Sequence, residues 1–61
     1  MKEPEKTYYA FLYLETQLEG TLEQLKMKNY DFVEERIASI CHTVVIQAES
    51  FRKWLEKNNN N

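Results

Sequence analysis

Two apolar stripes with helical spacing lie on either side of a short break at residues 29–31, and they constrain the fold more than any other feature. Apolar residues recur every three or four positions, which places each stripe on one side of an α-helix. Before the break the stripe comprises Phe11, Leu14, Leu18, Leu22 and Leu25. After it the stripe comprises Val33, Ile37, Ile40, Cys41, Val44, Ala48, Phe51 and Leu55. The pattern predicts an all-α fold built from two long helices.

Cap signals predict where the helices begin and end. Pro4 suits a first helical turn, Asn29 is a typical C-terminal cap, and Asp31 with Glu34 matches an N-terminal capping pattern. The predicted hairpin domain covers residues 1–57, with helices at about 5–28 and 32–57, a turn at 29–31, and a disordered asparagine tail at 58–61.

Gly20 is the one weak point of the first helix, since an interior glycine costs about 1 kcal/mol relative to alanine. The leucines stay in phase across it, which favours a continuous helix. A short turn makes the helices antiparallel, so the two stripes are predicted to face each other. In that arrangement Leu18 lies near residues 40–44 and Phe11 near Ala48 and Phe51. Predicted rim pairs are Glu23 with Arg36 and Lys26 with Glu34.

The small size of the chain predicts association. A chain of 61 residues buries only about 60% of its unfolded surface, so its core alone is marginal. A single cysteine cannot form an intrachain disulfide, and the sequence offers no cluster typical of structural zinc. We therefore expect the antiparallel hairpin to dimerise into a four-helix bundle.

Each predicted helix also has a reverse face that combines large and small side chains with few charges. On the first helix the reverse face comprises Tyr9, Tyr13, Thr16, Gly20 and Met27. On the second it comprises Phe32, Ser39, Thr43, Ile46, Ser50 and Trp54. Small residues allow close approach and aromatic residues anchor contacts, which predicts a contact surface. Either reverse face could supply the interface of the four-helix dimer, and the sequence does not decide which. The predicted partner-binding residues are Tyr9, Tyr13, Ile46 and Trp54 as anchors, with Glu19 and Glu23 steering the encounter.

Candidate chemistry is sparse. Cys41 and His42 are neighbours, but adjacent helical positions point about 100° apart and cannot form a catalytic pair. Cys41 lies on the stripe and is predicted to be buried. His42 is two turns from Glu35 and Glu49, about 10 Å away, so a metal site would need a dimer axis. With no phosphate loop or serine elbow, we expect neither an enzyme nor a bound cofactor.

Charge and hydropathy narrow the function class. A net charge of −2 with interleaved basic residues argues against nucleic-acid binding. The longest uncharged stretch, residues 37–48, is too short and polar to span a membrane, so we expect a cytoplasmic protein. The sequence favours a non-enzymatic protein–protein interaction module (a regulator, inhibitor or adaptor) that binds itself and another protein. The alternatives are a structural oligomerisation subunit and a metal-binding helical bundle.

Overall fold

The described part of the chain is a two-helix hairpin. The computed structural model describes residues 2–59 and contains α1 (Glu3–Lys26) and α2 (Tyr30–Asn59), which pack against each other. As predicted, α1 continues through Gly20 without a break. The molecule measures 51 × 16 × 13 Å, so it consists of a single layer of helices.

A backbone motif ends α1 and reverses the chain direction. Lys28 adopts a φ of 60°, and its N–H donates to the carbonyl of Leu25 at 3.0 Å. The N–H of Asn29 donates to the carbonyl of Gln24 at 3.0 Å. This pair of bonds is the Schellman arrangement, which satisfies the last carbonyls of a helix. Lysine here occupies the left-handed position that glycine usually takes.

The predicted helix boundaries in this region were therefore wrong by about two residues. The turn lies at residues 27–29, and Asn29 follows the left-handed residue. The Asn29 carbonyl accepts a hydrogen bond from Val33 N–H at 3.1 Å, so Asn29 precedes α2, and Asp31 is already helical. The Schellman bonds end α1 at Lys26, and the chain has reversed its direction by Asn29. Helix α2 therefore begins at Tyr30, so Asp31 lies inside the helix and is not its N-terminal cap.

The C-terminal end of α2 also extends further than predicted. Asn58 and Asn59 are helical, and the Asn58 side-chain amide donates to the Trp54 carbonyl at 2.7 Å. The predicted disorder is wrong for these two residues. For residues 60–61 the same prediction lies outside the described part of the chain.

The two helices meet along a seam whose positions recur at intervals of three and four residues, as in a coiled coil. On α1 the seam comprises Thr7, Ala10, Leu14, Gln17, Thr21 and Gln24. On α2 it comprises Val33, Arg36, Ile40, Thr43, Gln47, Ser50 and Trp54. Many of these side chains are small or polar. The seam therefore contains the buried residues Leu14, Thr21 and Val33 but only a thin apolar core.

The prediction that the two apolar stripes face each other was wrong, because each helix is rotated about its own axis away from that arrangement. Phe11, Leu18, Leu22 and Ile37 all remain more than half exposed. Cys41, predicted to be buried, is exposed as well. The physical reason is that small seam residues such as Ala10 permit close helix contact, and the bulky stripes then lie beside the seam.

The predicted axial register, in contrast, agrees with the structure. Leu18, Ile40 and Val44 line one groove, and Phe11 and Ala48 line the next. Lys26 and Arg36, the basic residues of the two predicted rim pairs, have partners other than those predicted.

Lys26 Nζ pairs with Glu23 Oε1 at 3.4 Å within α1. The Arg36 guanidinium of α2 donates to the side-chain carbonyl of Gln17. Both cations therefore find acceptors other than the predicted carboxylates.

Candidate interaction surface

The exposed stripes of the two helices form one continuous surface, here called the aliphatic face. The centre of each stripe is turned from the centre of the seam by roughly 70°, counting about 100° per residue. This angular displacement has the same sense in both helices. In an antiparallel pair, displacements of the same sense bring both stripes to the same side of the hairpin. The aliphatic face comprises Phe11, Leu18, Leu22 and Leu25 of α1 with Ile37, Val44, Ala48 and Leu55 of α2.

Two adjoining grooves run along the aliphatic face between the helices. The first is lined by Tyr8, Phe11, Leu12, Leu14, Glu15, Leu18, Ile40 and Val44. The second is lined by Thr7, Phe11, Val44, Gln47, Ala48 and Phe51. Both grooves share Phe11 and Val44, so apolar surface continues from the middle of the hairpin towards its open end. Such a shape is suited to receiving the ridge of another helix.

Two polar atoms are enclosed at the floor of the second groove. Thr7 Oγ1 and Gln47 Oε1 are buried and have no hydrogen-bond partner among the described residues. Thr21, by contrast, is buried but donates through Oγ1 to the Gln17 carbonyl at 2.7 Å. An unpaired buried polar atom costs free energy, so this end of the seam is the less stable one.

Four charged side chains border the aliphatic face. By helical position Glu15 and Lys26 flank it along α1, and Glu34 and Arg52 flank it along α2. All four are exposed. The border thus carries equal numbers of acidic and basic groups and no excess of either sign.

The predicted anchors of the reverse face lie on the opposite side of the hairpin. Tyr9, Tyr13 and Ile46 expose 57%, 58% and 45% of their surface. Trp54 differs because it is half-buried in the seam, with its ring centroid 5.5 Å from that of Phe51. The structure therefore groups three of the four predicted anchors on an accessible surface and places the fourth between the helices.

The two predicted steering carboxylates do not lie beside those anchors. Glu19 and Glu23 lie on the outer edge of α1, where they border a shallow depression with Gly20 and Lys26. Glu23 is also paired with Lys26. They can attract a basic partner towards the edge of α1 but do not frame Tyr9 or Tyr13.

The side chains considered for metal or thiol chemistry are separate on the surface. His42 and Cys41 are both exposed. Among residues 2–59, no three His, Cys, Asp or Glu side chains are grouped in a way that could hold a metal ion. A metal site using His42 would therefore require ligands from a second chain.

Comparisons of the chain with known proteins found no similarity that suggests a function. No protein-family model, no curated protein and no solved structure matches it. Within the described residues, neither helix combines the length and apolar character needed to cross a membrane. Function must therefore be inferred from the surface itself.

The aliphatic face was not recognised from the sequence as a surface, although a signal for it existed. The three-and-four spacing of a seam is already visible at positions 7, 10, 14, 17 and 21 of the first helix and at positions 33, 36, 40, 43, 47 and 50 of the second. Burial of small and polar side chains contributes little free energy, so the bulky apolar stripes give the stronger periodic signal. Their ability to permit close approach decided the packing.

Proposed function

We propose that this protein is a non-enzymatic protein–protein interaction module that binds helices of other chains. The observation that carries the proposal is the exposure of the aliphatic face, whose bulky side chains retain 40–58% of their surface. Contiguous apolar surface of this kind is unusual on a monomer and marks interaction sites. The hairpin places these side chains side by side on two packed helices.

The two sides of the hairpin offer different recognition chemistry. The aliphatic face presents leucine, isoleucine and valine to a helix ridge. The reverse face presents Tyr9, Tyr13 and Ile46, which we retain as proposed anchors for a foreign partner, with Glu19 and Glu23 steering it. Trp54 is not among the proposed contacts, because its half-buried position in the seam limits its access.

Site-specific photo-cross-linking in cells of the native host tests the proposal. A photoreactive amino acid is placed singly at Leu18 on the aliphatic face, at Tyr13 on the reverse face, and at the exposed Glu56 on the outer side of α2 as the matched control. We expect protein cross-links from Leu18 or Tyr13 and none above background from Glu56. Absence of products from both test positions would contradict the interaction function.

A structural oligomerisation subunit is the second candidate function. It is favoured by the one-layer architecture, since a stable domain ordinarily needs two packed layers. In this case the cross-linked products would contain only copies of this chain. A foreign protein attached through Tyr13 would favour a regulator or adaptor instead.

A further inference from the structure

We infer that the occupant of the aliphatic face is a second copy of this chain, packed face to face to form a two-layer, four-helix assembly. The inference rests on the proposed interaction function and identifies the partner for one of its two surfaces. Three properties of the hairpin lead to it: its excess surface, the direction of its apolar stripes, and the charges at their border.

The exposed area exceeds what a monomer of this size presents. Folded monomers follow a size relationship that predicts about 4,200 Å² for a 7.4 kDa chain. The hairpin exposes 5219 Å², an excess of about 1,000 Å² over that relationship. A standard stable interface buries about 800 Å² from each partner. The surplus is therefore of the size that one homodimer interface removes.

The radius of gyration leads to the same conclusion. It is 14.7 Å, whereas a compact domain of this length has a value of about 10 Å. Because the long axis of the hairpin is 51 Å, an added layer along its side would bring the assembly closer to compact proportions.

The direction of the stripes distinguishes a four-helix assembly from an isolated pair. In an isolated helix pair the bulkiest apolar residues point at the neighbouring helix. In a four-helix bundle they point at the bundle axis, which lies between the directions to two neighbours. Leu18 on α1 and Ile37 on α2 are both displaced from the seam towards the same side. This is the geometry of one half of a bundle.

The border charges favour a copy over a foreign partner of opposite charge. The border has no net charge for a foreign partner to complement, because two acidic and two basic side chains flank the face. They are Glu15 and Lys26 on α1, with Glu34 and Arg52 on α2. A two-fold interface brings the same surface together twice, and a border with equal acids and bases can then supply opposite charges across it. A strongly basic or acidic partner would find no net charge on this border to complement.

The solution mass of the intact wild-type chain is the first test. Light scattering and sedimentation equilibrium over a wide concentration range are expected to give twice the 7.4 kDa chain mass at the upper concentrations. A mass of one chain at the highest concentration would overturn the inference.

Matched glutamate substitutions then identify the face. Leu18→Glu places a charge in the centre of the aliphatic face, and Tyr13→Glu places one on the reverse face at similar exposure, 52% against 58%. We expect Leu18→Glu to raise the dimer dissociation constant at least about tenfold, because a charge would be buried without a partner. Tyr13→Glu should change it by less than about threefold. The reverse order of effects would overturn the assignment.

Loss of folding in Leu18→Glu but not in Tyr13→Glu, which changes a position of similar exposure, would also support the inference. Leu18 is half exposed in the single hairpin, so a charge there costs the hairpin little unless association covers the position. Circular dichroism at the same concentrations reports this. The cross-linking described above separates the two proposals: a Leu18 cross-link to a foreign protein would overturn the self-association and leave the interaction function standing.

Discussion

The Arg36 guanidinium of α2 donates a hydrogen bond to the side-chain carbonyl of Gln17 on α1, and this contact spans the seam between the helices. Arg36 also lies over the Phe32 ring, with Cζ 4.9 Å from the ring centroid. Both side chains of the hydrogen bond are half-buried. A polar contact thus occupies a seam position where a heptad pattern usually places an apolar residue.

Removal of this contact should destabilise the hairpin. We expect Arg36→Ala to lower the free energy of unfolding by about 1–2 kcal/mol, since a charged hydrogen bond and ring packing are both lost. Lys53→Ala, at an exposed position of α2 outside the seam, should change it by less than about 0.5 kcal/mol. Urea unfolding at one fixed protein concentration compares the two variants. Equal effects would show that the Arg36 contact adds no stability.

The turn offers a stabilising substitution. Lys28→Gly should raise the free energy of unfolding by about 0.5–1 kcal/mol, because Lys28 has a φ of 60° and glycine adopts this conformation without steric cost. Lys26→Gly is the matched control in the last turn of α1 and should lower it by about 1 kcal/mol. Thermal unfolding followed by circular dichroism distinguishes the two. A loss of stability in Lys28→Gly would contradict the left-handed turn.

Gly20 tests whether anything packs closely on the reverse face of α1. A Cβ added there meets no atom within 4 Å, so Gly20→Ala should stabilise the helix by about 0.5–1 kcal/mol. Ala38→Gly, at an exposed helical position of α2, should have the opposite effect of similar size. Chemical denaturation measures both. Destabilisation by Gly20→Ala would mean that a second chain packs closely on the reverse face.

The unpaired polar atoms at the open end of the seam provide another test. Gln47→Leu should increase the free energy of unfolding by about 1–2 kcal/mol, because it removes a buried oxygen that has no partner and adds apolar packing. Gln24→Leu is the matched control in the same seam. Gln24 Oε1 accepts a hydrogen bond from Asn29 Nδ2 at 2.9 Å, so its replacement should bring little or no gain. Little or no gain from Gln47→Leu in urea unfolding would indicate that Gln47 is bonded in solution.

The sequence by itself determined the number of helices, their amphipathic character and their axial register. Helical periodicity can be read from one segment alone, because it is the spacing of apolar positions along that segment. Phe11 therefore lies near Ala48, and Leu18 near Val44, as their distances from the turn predict. The continuity of α1 through Gly20 likewise follows from leucines that stay in phase on either side of it.

Only the tertiary structure decided how far each helix is rotated about its axis. This rotation depends on how the surfaces of the two helices fit together. Small residues such as Ala10 and Thr21 let the helices approach closely, and the larger Leu18 and Ile37 do not fit into the same space. No pattern within one helix contains that information. The turn boundaries depended in the same way on a backbone conformation at Lys28, a residue type that seldom adopts it.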